Sequence, residues 1–195
     1  MEFNESFMRF SFPEDDCFKI EEDDLVRGRQ GVKACECVVY LSGDVAFIEA
    51  KSSTPRPDNL EKVEEFLSAI VGKFRSSLEI YTGIKNGVYG EETMSRLPKN
   101  LRNESQSFDH YRIYLIVYGH KLEWLPGLSD TVKDRLREVI ARYAISDSQI
   151  KVLNEELALE SNLIVCYYPL DMAEKIKDKP LKERIAIADE WLNNQ

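Results

Sequence analysis

The sequence is poor in the residues that build disulfide scaffolds and soft-metal centres. Its 195 residues include four cysteines and two histidines. Four scattered cysteines exclude a disulfide-rich fold and are more typical of small apolar core residues. Cys35 and Cys37 are closely spaced, but no second cysteine or histidine pair accompanies them, so the sequence disfavours a zinc site.

Long apolar runs are also missing. No run approaches the roughly 20 residues that a membrane-spanning helix needs. The first residues, MEFNESF, lack the apolar core of a signal peptide. We therefore expect a soluble cytoplasmic protein without a membrane partner. Hydrophobic residues make up 43% of the chain, which is enough for the core of one domain.

Positive charge is scarce as well. Lysine and arginine number 26 against 35 acidic residues, which leaves a formal net charge of −9. Proteins bind phosphates through lysine and arginine, so this balance argues against a dedicated nucleic-acid-binding module. It does not exclude an enzyme with a local basic groove.

A hairpin is the clearest signal that is present. Residues 33–41 and Asp44–Lys51 are rich in β-branched and aromatic side chains, and Ser42-Gly43 between them suits a two-residue turn. Leu41 then faces Asp44, and the same register places Glu36 opposite Glu49. A three-residue loop would shift this pairing by one residue.

Charge accumulates on one face of this hairpin. Side chains alternate along a strand, so Lys51 projects from the same face as Glu49. Carboxylates directly opposite each other destabilise a ladder, and a divalent cation is the obvious compensation. Both hairpin faces are otherwise apolar, which predicts that both are covered and that Glu36 and Glu49 are partly desolvated.

The rest of the chain alternates between strand and helix patterns. Residues 58–81 carry apolar side chains at steps of three and four, which predicts a long amphipathic helix with Asp58 as its N-cap. Residues 82–109 are poorly patterned and are expected to form an excursion, in which residues 91–97 are the candidate for a short helix. Further strands are predicted at 7–12, 111–118, 150–153 and 163–168, with helices at 129–143 and 180–193. We expect one α/β domain over residues 1–195, with a core at about 7–120 and a C-terminal α/β elaboration at about 121–195.

These residues carry a family resemblance. Glu36, the Glu49-Ala50-Lys51 triplet on the next strand, a long helix and a buried strand together resemble the PD-(D/E)xK nuclease superfamily. The resemblance covers roughly residues 7–118. It implies a restriction-endonuclease-like core, in which a mixed central sheet, an antiparallel meander plus a parallel strand, is flanked by helices. The family usually has Asp where this chain has Glu36.

The resemblance also implies a chemistry. It identifies a phosphodiesterase that uses Mg²⁺ or Mn²⁺ and acts on nucleic acid, DNA above all, in repair or defence. The implied catalytic residues are Lys51, Glu49 and Glu36, with Lys51 orienting the attacking water. The implied metal ligands are Glu36, Glu49 and the Ala50 carbonyl. These are oxygen donors, which such cations prefer.

Further residues complete the expected site. An N-terminal acid of the family has Glu21 as its preferred counterpart here, with Glu22 as the alternative. Basic side chains outside the triplet are expected to steer the nucleic-acid backbone, namely Arg56, Lys73 and Arg75. A homodimer is left open.

Two other interpretations remain. The chain is either a catalytically inactive nuclease-fold protein that serves as a binding or assembly module, or an unrelated α/β domain with a small-molecule or protein partner. The unrelated domain predicts that Glu36 and Glu49 point to different environments. The nuclease and its inactive relative both predict that these carboxylates converge.

Overall fold

A computed structural model describes residues 1–56, 58–102 and 110–195. The strands are β1 (Glu2–Glu5), β2 (Met8–Ser11), β3 (Cys17–Phe18), β4 (Cys37–Leu41), β5 (Asp44–Lys51), β6 (His110–Val117), β7 (Ile150–Leu153) and β8 (Cys166–Tyr167). The helices are α1 (Asp24–Arg27), α2 (Leu60–Lys85), α3 (Glu91–Ser95), α4 (Lys99–Arg102), α5 (Leu125–Arg135), α6 (Arg137–Tyr143), α7 (Glu155–Glu160), α8 (Leu170–Lys175) and α9 (Leu181–Leu192).

A five-stranded mixed sheet lies at the centre, in the order β3-β4-β5-β6-β7. Strands β3, β4 and β5 form an antiparallel meander, whereas β6 and β7 run parallel to β5. Helix α2 supplies the crossover from β5 to β6, because a parallel pair cannot be joined by a tight turn. This confirms the predicted α/β class, a mixed sheet flanked by helices.

Both faces of the sheet are covered, as predicted. One face packs against α2, α5 and α6 through residues such as Phe47, Ile70 and Val132. The opposite face packs against the small sheet and α7 to α9, through residues such as Ile48 and Phe10. Charges on either face of the central strands are therefore removed from water.

The small sheet has the order β1-β2-β8. Strand β1, which was not predicted from the sequence, forms a hairpin with β2 through Ser6 and Phe7, both with positive φ (50° and 66°). The strand predicted over 163–168 is reduced to β8, which pairs with β2 at Met8. The small sheet brings the N-terminus onto the C-terminal part of the chain.

Helix boundaries differ from the sequence predictions in three places. Helix α2 begins after Asn59, whose side chain accepts a hydrogen bond from the Lys62 N–H, so the N-cap is Asn59 and not Asp58. The single helix predicted over 129–143 is two helices, α5 and α6, which meet at Leu136 (ψ 0°). The poorly patterned region 82–109 contains α3, where a short helix is suggested over 91–97, and also α4, which is not predicted; residues 103–109 lie outside the described part of the chain.

Among the described residues, no helix is long and apolar enough to cross a membrane.

Candidate active site

The hairpin of β4 and β5 has the register that the sequence predicts. Leu41 pairs with Asp44 and Cys37 with Ile48, so the loop has two residues. Ser42 and Gly43 both have positive φ (52° and 98°), the conformation that matches the twist of a two-residue hairpin.

Glu36 does not lie in a ladder, however. The strand predicted over 33–41 begins only at Cys37, and the segment before it is held by the Cys35 N–H, which donates to Ser77 Oγ on α2 at 2.8 Å. Cys35 therefore joins the core beside α2. This anchor turns Glu36 towards α2 and the face that carries Glu49.

Glu36 and Glu49 converge in the interior. Glu36 is 3% exposed and Glu49 is fully buried. Lys73 Nζ on α2 lies 3.3 Å from Glu36 Oε1, 2.8 Å from Glu49 Oε1 and 3.0 Å from Glu49 Oε2. The ammonium group bridges the two carboxylates and supplies the charge that their burial demands.

Lys73 was predicted as an outlying contact to nucleic acid, and the structure places it at the centre of the site. A sequence signal for this position exists. Lys73 lies three residues after Ile70 and four before Ser77, and both are fully buried. A lysine within the apolar stripe of an amphipathic helix needs a buried counter-charge.

Lys51 contacts the same carboxylate oxygen of Glu49 as Lys73 does. It lies on the same face of β5, and its ammonium group forms an ion pair with Glu49 Oε1. No described residue donates a well-aligned hydrogen bond to Glu49 Oε1, although both ammonium groups lie close to it. The negative charge of this buried oxygen is therefore compensated by two ammonium groups.

A second acidic cluster adjoins Glu36. Carboxylate oxygens of Glu5, Glu21 and Glu36 lie within 4.8 Å of one another. Of the two predicted N-terminal acids, Glu21 reaches the site, whereas Glu22 pairs with Lys19 and with Arg27 on α1. Glu5 was missed because it lies on the short strand β1, whose sequence carries too few residues for a recognisable alternation.

Burial and mutual repulsion perturb these carboxyl groups. Burial, with a contribution from Glu21, raises the pKa of Glu36 to about 8. Burial and the neighbouring Glu36 raise the pKa of Glu49 to about 7. Burial alone would lower the pKa of Lys73, but Glu49 and Glu36 outweigh it and the net direction is upward. Near neutral pH the site therefore combines the Lys73 ammonium group with two carboxyl groups, Glu36 and Glu49, that titrate in that pH range.

The donor set fits a hard divalent cation. The carboxylates outnumber the ammonium groups, and Lys19 Nζ approaches Glu21 only to 3.7 Å. The Ala50 carbonyl is suitably oriented, because Lys51 C=O accepts from the Tyr118 N–H beside β6 and successive carbonyls of a strand alternate. Ala50 C=O thus points to the side where the β4 ladder has ended. All these ligands are oxygens, as Mg²⁺ and Mn²⁺ prefer.

The other predicted basic residues lie outside this site. Arg75 is on the far side of α2 from Lys73 and pairs with Glu138 on α6 at 3.5 Å. Arg56 is exposed and lines a groove before α2, together with Lys62. The structure thus brings together Glu21, Glu36, Glu49, Lys51 and Lys73, but not Arg56 or Arg75.

Comparisons of the chain with protein-family models, curated proteins and solved structures found no match to any of them.

Proposed function

We propose that this protein is a metal-dependent phosphodiesterase of the PD-(D/E)xK type that acts on nucleic acid. One observation carries the proposal: Glu36, Glu49 and Lys51 converge at the end of an antiparallel hairpin, beside a crossover helix. Burial of two carboxylates costs desolvation free energy, which favours a functional role for the pair. The mixed sheet and the placement of Glu21 beside Glu36 give further support. DNA is the expected substrate, in repair or defence.

The residues divide the work of hydrolysis. Glu36, Glu49, Glu21 and the Ala50 carbonyl would hold Mg²⁺ or Mn²⁺. When bound, such a cation polarises the scissile phosphate and lowers the pKa of a coordinated water. The Lys51 ammonium orients the attacking water and stabilises the negative charge that develops on the phosphate.

The reaction is a hydrolysis and needs no other co-reactant. The water oxygen forms a bond to phosphorus, and the bond from phosphorus to one sugar oxygen breaks. That sugar oxygen leaves with a proton, and the attacking water gives one up.

A direct test measures nicking of supercoiled plasmid and cleavage of single-stranded oligonucleotides in Mg²⁺ and in Mn²⁺. We expect Lys51→Ala and Glu49→Ala to reduce the rate by about 100-fold or more, because each removes a group that acts on the developing charge. Lys151→Ala is a matched control, since Lys151 is exposed on β7 of the same sheet. Equal rates in the wild type and both site variants would refute the nuclease interpretation.

A second candidate function rests on Lys73. Its ammonium group occupies the place between Glu36 and Glu49 that a shared cation would take. A permanent internal ion pair suits a nuclease-fold protein that has become a binding or assembly module. Calorimetric titration with Mn²⁺ separates the two: an active nuclease binds the ion and loses that binding in Glu49→Ala, whereas the module does not bind it.

A further inference from the structure

A cavity of about 320 Å³ lies between α2 and α5, with the loop after β5 and the segment before α5 at its edges. Its walls are mainly apolar, from Phe66, Leu67 and Leu128, while Thr54, His120 and Trp124 supply polar and aromatic edges. This volume is at the lower end of the range for small-molecule sites, about 300–1,000 Å³. It therefore suits one planar ring system.

The cavity is close to the carboxylate site and on the same side of the sheet. Thr54 follows Lys51 by three residues, in the loop after β5. Phe66 and Lys73 are seven residues apart on α2, which is two turns and about 10 Å along one helix face. That distance is about three nucleotides at the 3.4 Å spacing of a stacked strand.

The cavity presents an aromatic surface next to a positive charge. Trp124 is 51% exposed, and Lys121 Nζ lies over its ring, 4.7 Å from the centroid. Single-strand-binding proteins use the same combination, in which the ring stacks on a base and the cation meets the backbone.

Polar groups for a base edge are also present. His120 Nδ1 lies 3.3 Å from Thr54 Oγ1, and its Nε2 has no hydrogen-bond partner among the described residues. Burial lowers the pKa of His120, so the ring is neutral at pH 7, and Nε2 is the nitrogen left for a base edge because Nδ1 is engaged with Thr54.

Basic side chains continue on both sides of the cavity. One adjoining groove carries Arg56 and Lys62, and a second carries Lys177 and Arg184. Lys177 is paired with Glu174, so Arg184 is the main charge of the second groove. Thr54 borders the cavity and both grooves, so a strand that followed these basic side chains would cross the cavity mouth.

We propose that this cavity, the Trp124 cavity, takes an unpaired base of a single-stranded or flapped nucleic acid whose backbone crosses Thr54. The inference rests on the proposed function and deepens it, because it names the class of nucleic acid on which the Lys51 site acts. Paired bases in a duplex cannot reach the cavity without leaving the stack.

Tryptophan fluorescence tests the contact directly, in EDTA so that nothing is cleaved. The chain has two tryptophans, so Trp191→Phe leaves Trp124 as the one reporter. A single-stranded oligonucleotide should quench this emission, whereas a blunt-ended duplex and an abasic strand of equal length should not. With a labelled oligonucleotide, Trp124→Ala should weaken binding about tenfold, within the range for loss of one base stack. Leu122→Ala is the matched control, since Leu122 is 61% exposed and does not line the cavity.

Equal binding of intact and abasic strands, or an unchanged affinity of Trp124→Ala, would overturn the inference. Plasmid nicking reports separately on the proposed function. If nicking requires Lys51 but strand binding is unaffected by Trp124→Ala, the base-binding role of the Trp124 cavity is refuted and the nuclease proposal stands. If the strand binds through Trp124 but is not cleaved in any metal, the base-binding inference stands and the proposed phosphodiesterase activity is refuted. Quenching by free aromatic compounds but not by the oligonucleotide assigns the cavity to a small molecule and refutes the inference.

Discussion

Replacing Lys73 with methionine removes the charge that holds the two buried carboxylates together. The Lys73 side chain is 16% exposed, and its ammonium group contacts Glu49 at 2.8 Å and Glu36 at 3.3 Å. Removing one partner from a buried ion pair costs about 3–5 kcal/mol, because the remaining charge is left uncompensated. Here that charge is Glu36, since Glu49 keeps its ion pair with Lys51. For a chain of this size 1 kcal/mol lowers the melting temperature by about 2–4 °C, so we expect a loss of about 10 °C for Lys73→Met.

The size of this loss should depend on pH. The pKa values of Glu36 and Glu49 are raised to about 8 and about 7. At pH 6 both carboxyl groups can take up protons, so the loss of the ammonium group costs less than at pH 9, where they must remain charged. Urea unfolding followed by far-UV circular dichroism, in EDTA at the two pH values, measures the difference.

Two further variants make the result specific. Lys62→Met changes an exposed lysine on the same helix and should leave the free energy of unfolding within about 0.5 kcal/mol of the wild-type value. Adding Glu36→Gln to Lys73→Met neutralises the carboxylate that loses its ammonium partner, since Glu49 keeps Lys51, and should recover part of the loss at pH 9. Equal midpoints for Lys73→Met and the wild type at pH 9 would refute the assignment of Lys73 as the buried counter-charge.

Three other predictions concern the wild-type site and its supports. The folded-state pKa values of Glu36 (about 8) and Glu49 (about 7) exceed their ordinary value of 4.5, so the folded state binds more protons than the unfolded state in this window. The free energy of unfolding in EDTA should therefore fall as pH rises from about 5 to about 8, and millimolar Mg²⁺ should restore part of the lost stability. A melting temperature that does not change with pH over this range would contradict the prediction. Tyr118→Phe removes the 2.6 Å hydrogen bond that the phenol donates to Tyr168 C=O in the core, and should lower the free energy of unfolding by about 1–2 kcal/mol in urea titrations. Phe47→Ala leaves a cavity at a fully buried position on the face that α2 covers, and should lower the free energy of unfolding by about 3–5 kcal/mol in the same titration. A loss below about 1 kcal/mol would contradict this prediction.

Short-range rules were sufficient for part of the site. The Ser42-Gly43 turn fixes the register of its own hairpin, because both residues adopt positive φ and the loop has no spare residue. Alternation along β5 then places Lys51 on the face of Glu49. The apolar run of β6 likewise indicates a strand buried on both sides.

Short-range rules failed where neighbours in space come from distant parts of the chain. Lys73 was assigned to an outer basic patch because its partners lie 24 and 37 residues earlier. Glu5 reaches Glu21 and Glu36 through a strand of four residues, which carries little periodicity of its own. The break at Leu136 also had no marker, since neither glycine nor proline stands there.

The sequence by itself determined the hairpin register, the shared face of Glu49 and Lys51, and the order of strands and crossover helix. Each follows from turn chemistry or from the period of a single element. The tertiary structure alone decided that β4 begins only after Glu36, that Lys73 bridges the carboxylates, and that Glu21 and Glu5 join them. These outcomes depend on how α2 and the N-terminal strands pack on the sheet, and packing forces act between residues that no local pattern relates.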